Sequence, residues 1–147
     1  MAVSAGDTAP DFVLKTTKND SLRLSSLRGR KVVLFFYPAD DSPGCTLQVR
    51  GLRDIHEDLV ELGVEVIGIN SASVDSHRKF AECQALPFQI ASDPGNVVRR
   101  LYGAYSWGLP GRVTFLVDEQ GIVCDVISAM LRPWTHVKRV RAWVRKG

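Results

Sequence analysis

The chain of 147 residues is poor in cysteine and has no long apolar run, and each absence excludes a class of protein. Three cysteines are too few for a disulfide-stabilised scaffold, and they lack the paired spacing of a zinc site. No apolar stretch approaches the roughly 20 residues that a membrane-spanning helix needs. The N-terminal residues have neither a basic start nor an apolar segment typical of a secretory signal, so we expect a cytoplasmic protein.

What is present is the composition of a folded domain. Hydrophobic residues make up 45% of the chain and charged residues 24%, proportions that do not fit a disordered protein. The length is sufficient to bury a hydrophobic core. Because the sequence contains no repeat, low-complexity tract or linker, residues 1–147 are predicted to form a single domain.

The formal net charge of +3 comes from one terminal segment. Residues 134–147 hold five of the 19 basic residues and no acidic one, which leaves 14 basic against 16 acidic residues elsewhere. Trp134, Val137, Val140 and Val144 recur at helical spacing and predict a helix docked by this apolar stripe. Its basic face is expected to be solvated. A nucleic-acid or membrane-binding patch is the alternative, but nothing else in the chain supports such a partner.

The hydrophobic pattern of the first half predicts strands and a helix. Residues 11–16 and 21–25 alternate in polarity and predict an N-terminal β-hairpin. The runs 32–37 and 64–70 are continuously apolar and β-prone, which is typical of strands covered on both faces. Between them, apolar residues spaced by three or four predict one amphipathic helix that ends at Gly63.

The second half continues the mixed pattern. Helices are predicted at 76–86 and 96–102, with a short strand at 88–91 between them. Strands at 112–118 and 122–128 follow, joined by a tight turn. The fold class is therefore α/β, with a mixed central sheet and helices on both faces. Sites in such sheets form beyond the carboxyl ends of the parallel strands.

The segment after the strand that ends at Tyr37 carries the residues of a helix start and a thiol. Ser42 is a favourable N-cap, and Pro43 suits the first helical position because no N–H is needed there. Cys45 then falls in the first turn, where unpaired backbone N–H groups and the helix dipole favour a thiolate.

Helix-end effects of about 0.3–2 kcal/mol do not by themselves make a thiolate dominant at neutral pH. A free thiol with a pKa of about 8.5 is only roughly 3% ionised at pH 7. A hydroxyl donor and a nearby cation are therefore needed. Ser42 supplies a hydroxyl. Arg112, at the start of an otherwise apolar strand, is the candidate cation.

These residues resemble the signature of a known family. The pattern Pro38-x-x-x-Ser42-x-x-Cys45 is similar to the Pro-x-x-x-(Thr/Ser)-x-x-Cys signature of peroxiredoxins. The wider string 37–46 resembles the bacterioferritin-comigratory (Q-type) branch, and the strand that opens at Arg112 resembles the family's Arg-x-Thr-Phe strand. The resemblance covers roughly the whole chain and implies a thioredoxin-like fold.

The resemblance implies a thiol-dependent peroxidase that reduces hydrogen peroxide and organic hydroperoxides without a metal or organic cofactor. Cys45 is then the nucleophile that attacks the peroxide and becomes a sulfenic acid. Ser42 is expected to hydrogen-bond the peroxide, and Pro38 to shield the sulfur. Arg112 is expected to stabilise the thiolate and polarise the O–O bond. Thioredoxin or a similar dithiol protein is the expected reductant, and a monomer the expected state.

The second cysteine of the branch is not at its commonest position here. Many members carry a resolving cysteine five residues after the nucleophile, where this chain has Arg50. Another arrangement places it on the following helix, so Cys83 on the predicted helix 76–86 is the candidate resolving residue. A helix-filling role for Cys83 stays open. Cys124 is expected to face the core from its strand.

Two other functions are alternatives on the same fold. A thiol–disulfide exchange protein needs a Cys-x-x-Cys pair, which the sequence at Cys45 lacks. A noncatalytic binding domain is the remaining alternative. The sequence gives no reason to bury His77 or His136, and both are expected to be solvated.

Overall fold

The computed structural model describes residues 3–40, 43–106, 109–128 and 133–146. The strands in these ranges are β1 (Val13–Thr16), β2 (Leu22–Arg23), β3 (Lys31–Phe36), β4 (Val64–Asn70), β5 (Gln89–Ser92), β6 (Tyr105–Ser106), β7 (Leu109–Pro110), β8 (Val113–Val117) and β9 (Val123–Ser128). The α-helices are α1 (Pro43–Asp54), α2 (His56–Glu61), α3 (Val74–Gln84), α4 (Val97–Tyr102) and α5 (Pro133–Lys146). None of these described helices has the length and apolar character needed to cross a bilayer.

Seven strands form one mixed sheet in the order β2-β1-β5-β4-β3-β8-β9. The central strands β3, β4 and β5 are parallel, whereas β8 and β9 on one side and β1 on the other run antiparallel to their neighbours. The predicted N-terminal hairpin is the β1–β2 pair at one edge. The predicted α/β class, with a mixed central sheet, is confirmed.

Hydrophobic clusters cover both faces of the sheet. Along β3, Leu34 and Phe36 belong to one cluster, which α4 completes with Tyr102. Val33 and Phe35 belong to the other, against α1, α3 and α5. Because successive residues of a strand point to opposite faces, a strand covered on both sides is apolar throughout. This arrangement explains the unbroken apolar run seen in the sequence.

The helix after β3 differs from the single helix that the spacing predicts. It is interrupted at Ile55, and α2 begins at His56. Apolar spacing continues across the interruption, so the sequence pattern does not reveal it. Gly63 follows α2 with φ of 72°, the left-handed conformation in which glycine commonly ends a helix.

Helix α5 docks through a face slightly rotated from the predicted stripe. Val140 and Val144 are buried as expected, but Trp134 is 60% exposed. His136 is fully buried, so the expectation that it is solvated is wrong. Close approach of α1 and α5 at Gly51 sets this orientation, since a Cβ there would lie 2.7 Å from a methyl group of Val137.

Candidate active site

The carboxyl end of β3 leads into the segment that carries the predicted nucleophile. Pro38 lies two residues beyond the strand and is half-buried. Helix α1 begins at Pro43, so Cys45 is its third residue and lies in the first turn. Ser42, the predicted hydroxyl donor, lies outside the described residues. Cys45 is fully buried.

A buried arginine from a distant part of the chain lies against the Cys45 sulfur. Arg112 Nη2 is 3.4 Å from Cys45 Sγ, and Nη1 donates to Gln48 Oε1 at 2.6 Å. The antiparallel pairing of Phe36 with Val113 brings Arg112 to the end of β3 from which Cys45 follows. Arg112 therefore places a charged hydrogen-bond donor directly beside the buried sulfur.

Polar contacts continue from Arg112 to α5. Gln48 Nε2 is 3.5 Å from Thr114 Oγ1, which lies 2.7 Å from His136 Nδ1. Gln48, Thr114 and His136 are all buried. Gln48 therefore presents its carbonyl oxygen to the guanidinium and its amide to Thr114. The only sequence signal for this chain of contacts is Gln48, which lies three residues after Cys45 and so shares its helix face.

Arg99 is a second buried arginine at the site, and the sequence does not predict it. It is 1% exposed and lies over the Phe36 ring, with 5.5 Å between the guanidinium carbon and the ring centroid. Its guanidinium donates to the carbonyl oxygens of Tyr37, Ala104 and Gly111 at 2.7, 3.1 and 2.7 Å. The pair Arg99-Arg100 on a short helix gives no sign in the sequence of which arginine is buried.

Asp40 ties the segment before α1 to helix α3. Its carboxylate is 2.6 Å from Tyr37 Oη, 2.7 Å from Ser76 Oγ and 2.8 Å from His77 Nδ1. His77 is fully buried, so the prediction that it is solvated is wrong. Burial raises the pKa of Asp40, but hydrogen bonds from His77, Tyr37 and Ser76 outweigh burial and hold that pKa below its ordinary 3.8.

We expect the Asp40→Asn substitution to destabilise the fold by about 1–3 kcal/mol, because an amide cannot accept from all of these donors. A carboxyl whose pKa is lowered by folding stabilises the native state above its unfolded pKa, and that contribution is lost as pH falls through the folded pKa. The wild-type protein should therefore lose more stability than the variant between about pH 5 and about pH 2. Urea unfolding across this range measures both effects.

Asp20→Asn, at an exposed carboxylate of the loop between β1 and β2, is the matched control and should change neither quantity. Equal loss of stability by wild type and Asp40→Asn on acidification would contradict the assigned role of Asp40.

The other two cysteines lie at the surface, and no disulfide joins any of the three. Cys83 is exposed near the end of α3. Cys124 is also exposed, so its predicted core-facing position is wrong. A β-bulge is the reason: Val117 pairs with Val123 and Leu116 with Asp125, which leaves Cys124 unpaired and breaks the alternation.

The AhpC/TSA family matches residues 5–126, which is most of the chain. The chain belongs to this family. Peroxiredoxin Q from chloroplasts of Sedum lineare is 42% identical over 138 residues, covering 92% of this chain and 74% of the relative. A putative peroxiredoxin bcp from Coxiella burnetii is 40% identical over 146 residues, covering 94% and 92%. Against several other chloroplastic relatives, this peroxiredoxin spans 64% of their length.

The solved structure of peroxidoxin BcpB from Mycobacterium tuberculosis has the same fold. It is 33% identical, with a TM-score of 0.89 over 98% of this chain and 97% of that one. The thioredoxin-like fold and the resemblance to the Q-type branch are therefore confirmed. The activity class of this peroxiredoxin is thiol-dependent peroxide reduction, an oxidoreductase activity, which needs a peroxide and a thiol reductant. A noncatalytic or thiol–disulfide exchange function is not favoured.

Proposed function

We propose that this peroxiredoxin reduces hydrogen peroxide and small organic hydroperoxides at Cys45. The contact that carries the proposal is the one between Arg112 Nη2 and Cys45 Sγ, 3.4 Å long and shielded from water. Arg112 supplies the nearby cation that a thiolate requires, because the helix N-terminus alone stabilises the thiolate too weakly. Because Cys45 is fully buried, a substrate reaches its sulfur only after a local movement, which favours small peroxides.

In the first step the Cys45 thiolate attacks the terminal peroxide oxygen. An S–O bond forms, the O–O bond breaks, and the leaving alkoxide or hydroxide takes a proton to become an alcohol or water. The sulfur is oxidised by two electrons to a sulfenic acid. Arg112 stabilises the thiolate and then the charge that develops on the oxygens, while Ser42 holds the peroxide and Pro38 shields the sulfur from water.

Cys83 is the proposed resolving residue. Its thiol attacks the sulfenic sulfur, so that an S–S bond forms, the S–O bond breaks and water leaves. Because Cys45 is buried and Cys83 exposed, the two must approach by local unfolding. The end of α3 suits this movement, since Ala85 caps it in the left-handed conformation with φ of 50°, which is unfavourable for a residue with a side chain.

A dithiol protein such as thioredoxin completes the proposed cycle. Its two thiols become a disulfide, and Cys45 and Cys83 return to thiols. A monomeric state, a cytoplasmic location and the lack of a nucleic-acid or membrane partner stay predictions from the sequence. A reducing compartment of another kind suits the same chemistry, since several relatives are chloroplastic.

The resolving step can be tested by treating the reduced protein with one equivalent of hydrogen peroxide and mapping its peptides without reductant. We expect a Cys45–Cys83 disulfide in wild type and in the control variant Cys124→Ser. In Cys83→Ser we expect a sulfenic acid at Cys45 that dimedone traps. Turnover with thioredoxin, its reductase and NADPH should fall strongly in Cys83→Ser while the first peroxide step keeps its rate. Only sulfenic acid or intermolecular bridges in wild type would reject Cys83 and indicate a one-cysteine cycle.

A further inference from the structure

The sheet ladder between β3 and β8 ends where the two strands reach the active site. Phe36 and Val113 form the last pair. Pro38, two residues beyond this pair on the β3 side, has no N–H to donate, so the ladder cannot continue through it. The carbonyl groups of Tyr37 and Gly111 lie just beyond the ladder, and each immediately precedes a proposed site residue, Pro38 in one case and Arg112 in the other.

The Arg99 guanidinium bridges these two carbonyl groups. Nη2 donates to Tyr37 O and Nη1 to Gly111 O, each at 2.7 Å, and Nη1 also donates to Ala104 O. Nε is held by Asn96 Oδ1 at 3.2 Å. Because a guanidinium is planar and presents its donors in a fixed fork, it holds the ends of the two strands at a set distance, which a lysine could not do.

The charge of Arg99 also acts on the sulfur. In the described part of the chain no carboxylate forms a salt bridge with Arg99. Burial lowers the pKa of Arg99, and coulombic attraction to Tyr105, Asp93 and Cys45 opposes that effect. An arginine stays cationic in such surroundings. The positive charge of Arg99 therefore lies within coulombic reach of Cys45, in addition to the direct contact from Arg112.

We propose that Arg99 is a positioning residue of the peroxide site: it clamps the backbone before Pro38 to the backbone before Arg112, and so sets where these residues stand around the Cys45 sulfur. The inference rests on the proposed function of Cys45 and Arg112. Arg99 makes two contributions, the geometry of the clamp and the positive charge, and different substitutions remove them.

The test compares two rate constants in Arg99→Lys and Arg99→Met. Stopped-flow reaction with hydrogen peroxide depends on both thiolate population and the placement of the groups that polarise the O–O bond. Alkylation by iodoacetamide depends on thiolate population and access alone. In Arg99→Lys, which keeps the charge, we expect the peroxide rate constant to fall about 10- to 100-fold, with alkylation changed by less than about threefold. In Arg99→Met both rates should fall.

Arg100→Met is the matched control, because Arg100 is exposed on the same helix and donates only to Gly95 O in the described structure. It should leave both rates unchanged. Asn96→Gly is a milder second variant: Asn96 has φ of 56°, which glycine adopts readily, and the substitution removes only the acceptor of Arg99 Nε. We expect it to lower the peroxide rate about threefold with no change in alkylation.

The proposal is overturned if folded Arg99→Lys reacts with peroxide at the wild-type rate, or if its peroxide and alkylation rates fall in equal proportion. Should the Arg99 variants fail to fold, as circular dichroism would reveal, an unchanged peroxide rate in Asn96→Gly overturns it instead. A wild-type protein that does not react with peroxide in this assay would refute the proposed function itself, a result distinct from either of these.

Discussion

We expect the Cys45→Ser variant to consume peroxide no faster than the uncatalysed background. A serine hydroxyl stays protonated at neutral pH and is a far weaker nucleophile than a thiolate, so the O–O bond is not attacked. The substitution is nearly isosteric at a fully buried position, and a hydroxyl can still accept from Arg112, so the fold should be retained. Stopped-flow reaction with hydrogen peroxide and thermal unfolding measure the two properties.

Cys124→Ser is the control for Cys45→Ser, because Cys124 is an exposed thiol on β9 that the proposed cycle does not use. It should react with peroxide at the wild-type rate. Peroxide turnover that survives in Cys45→Ser would refute Cys45 as the nucleophile, and loss of turnover in Cys124→Ser would show that a second thiol takes part in the first step.

The second large effect is expected for Arg112. We predict that Arg112→Met lowers the second-order rate constant with hydrogen peroxide by about 10²–10³-fold, the usual result of removing one preorganised donor from a developing charge. Arg112→Lys should recover only part of this loss. Both Nη1 and Nη2 of Arg112 are engaged, one by Gln48 and one by the Cys45 sulfur, and a single ammonium does not reproduce that geometry.

The loss in Arg112→Met has to be separated from a general loss of structure. Gln48 keeps its contact with Thr114 in this variant, but its carbonyl oxygen loses the guanidinium donor, so a moderate drop in thermal stability is expected. A peroxide rate constant within about threefold of wild type, in a folded Arg112→Met protein, would contradict the role proposed for Arg112.

The local sequence was sufficient for the elements around the nucleophile. The continuous apolar runs at 32–37 and 64–70 predicted β3 and β4, because strands covered on both faces leave no position for polar residues. Proline at the first helical position placed the start of α1 at Pro43 and Cys45 in its first turn. These inferences succeed because they depend on backbone geometry over a few residues.

The predictions from the sequence are wrong where packing between distant elements decides whether a side chain is buried. The sequence predicts that His77 and His136 are solvated, but Asp40 and Thr114 provide buried polar partners from far along the chain. Alternation along the strand predicts that Cys124 faces the core, but the β-bulge interrupts that alternation. The interruption of the helix at Ile55 left no trace in a hydrophobic spacing that continues across it.

By itself, the sequence determined that this chain is an α/β protein with a thiol at the start of a helix, and its signature indicated the family. Those properties follow from short-range spacing and from the side chains themselves. Only the tertiary structure decided which charges meet that thiol. Arg112 lies 67 residues beyond Cys45, and Arg99 is indistinguishable in sequence from its exposed neighbour Arg100. Burial of an arginine depends on which carbonyl groups the folded chain brings together, and no local pattern encodes that.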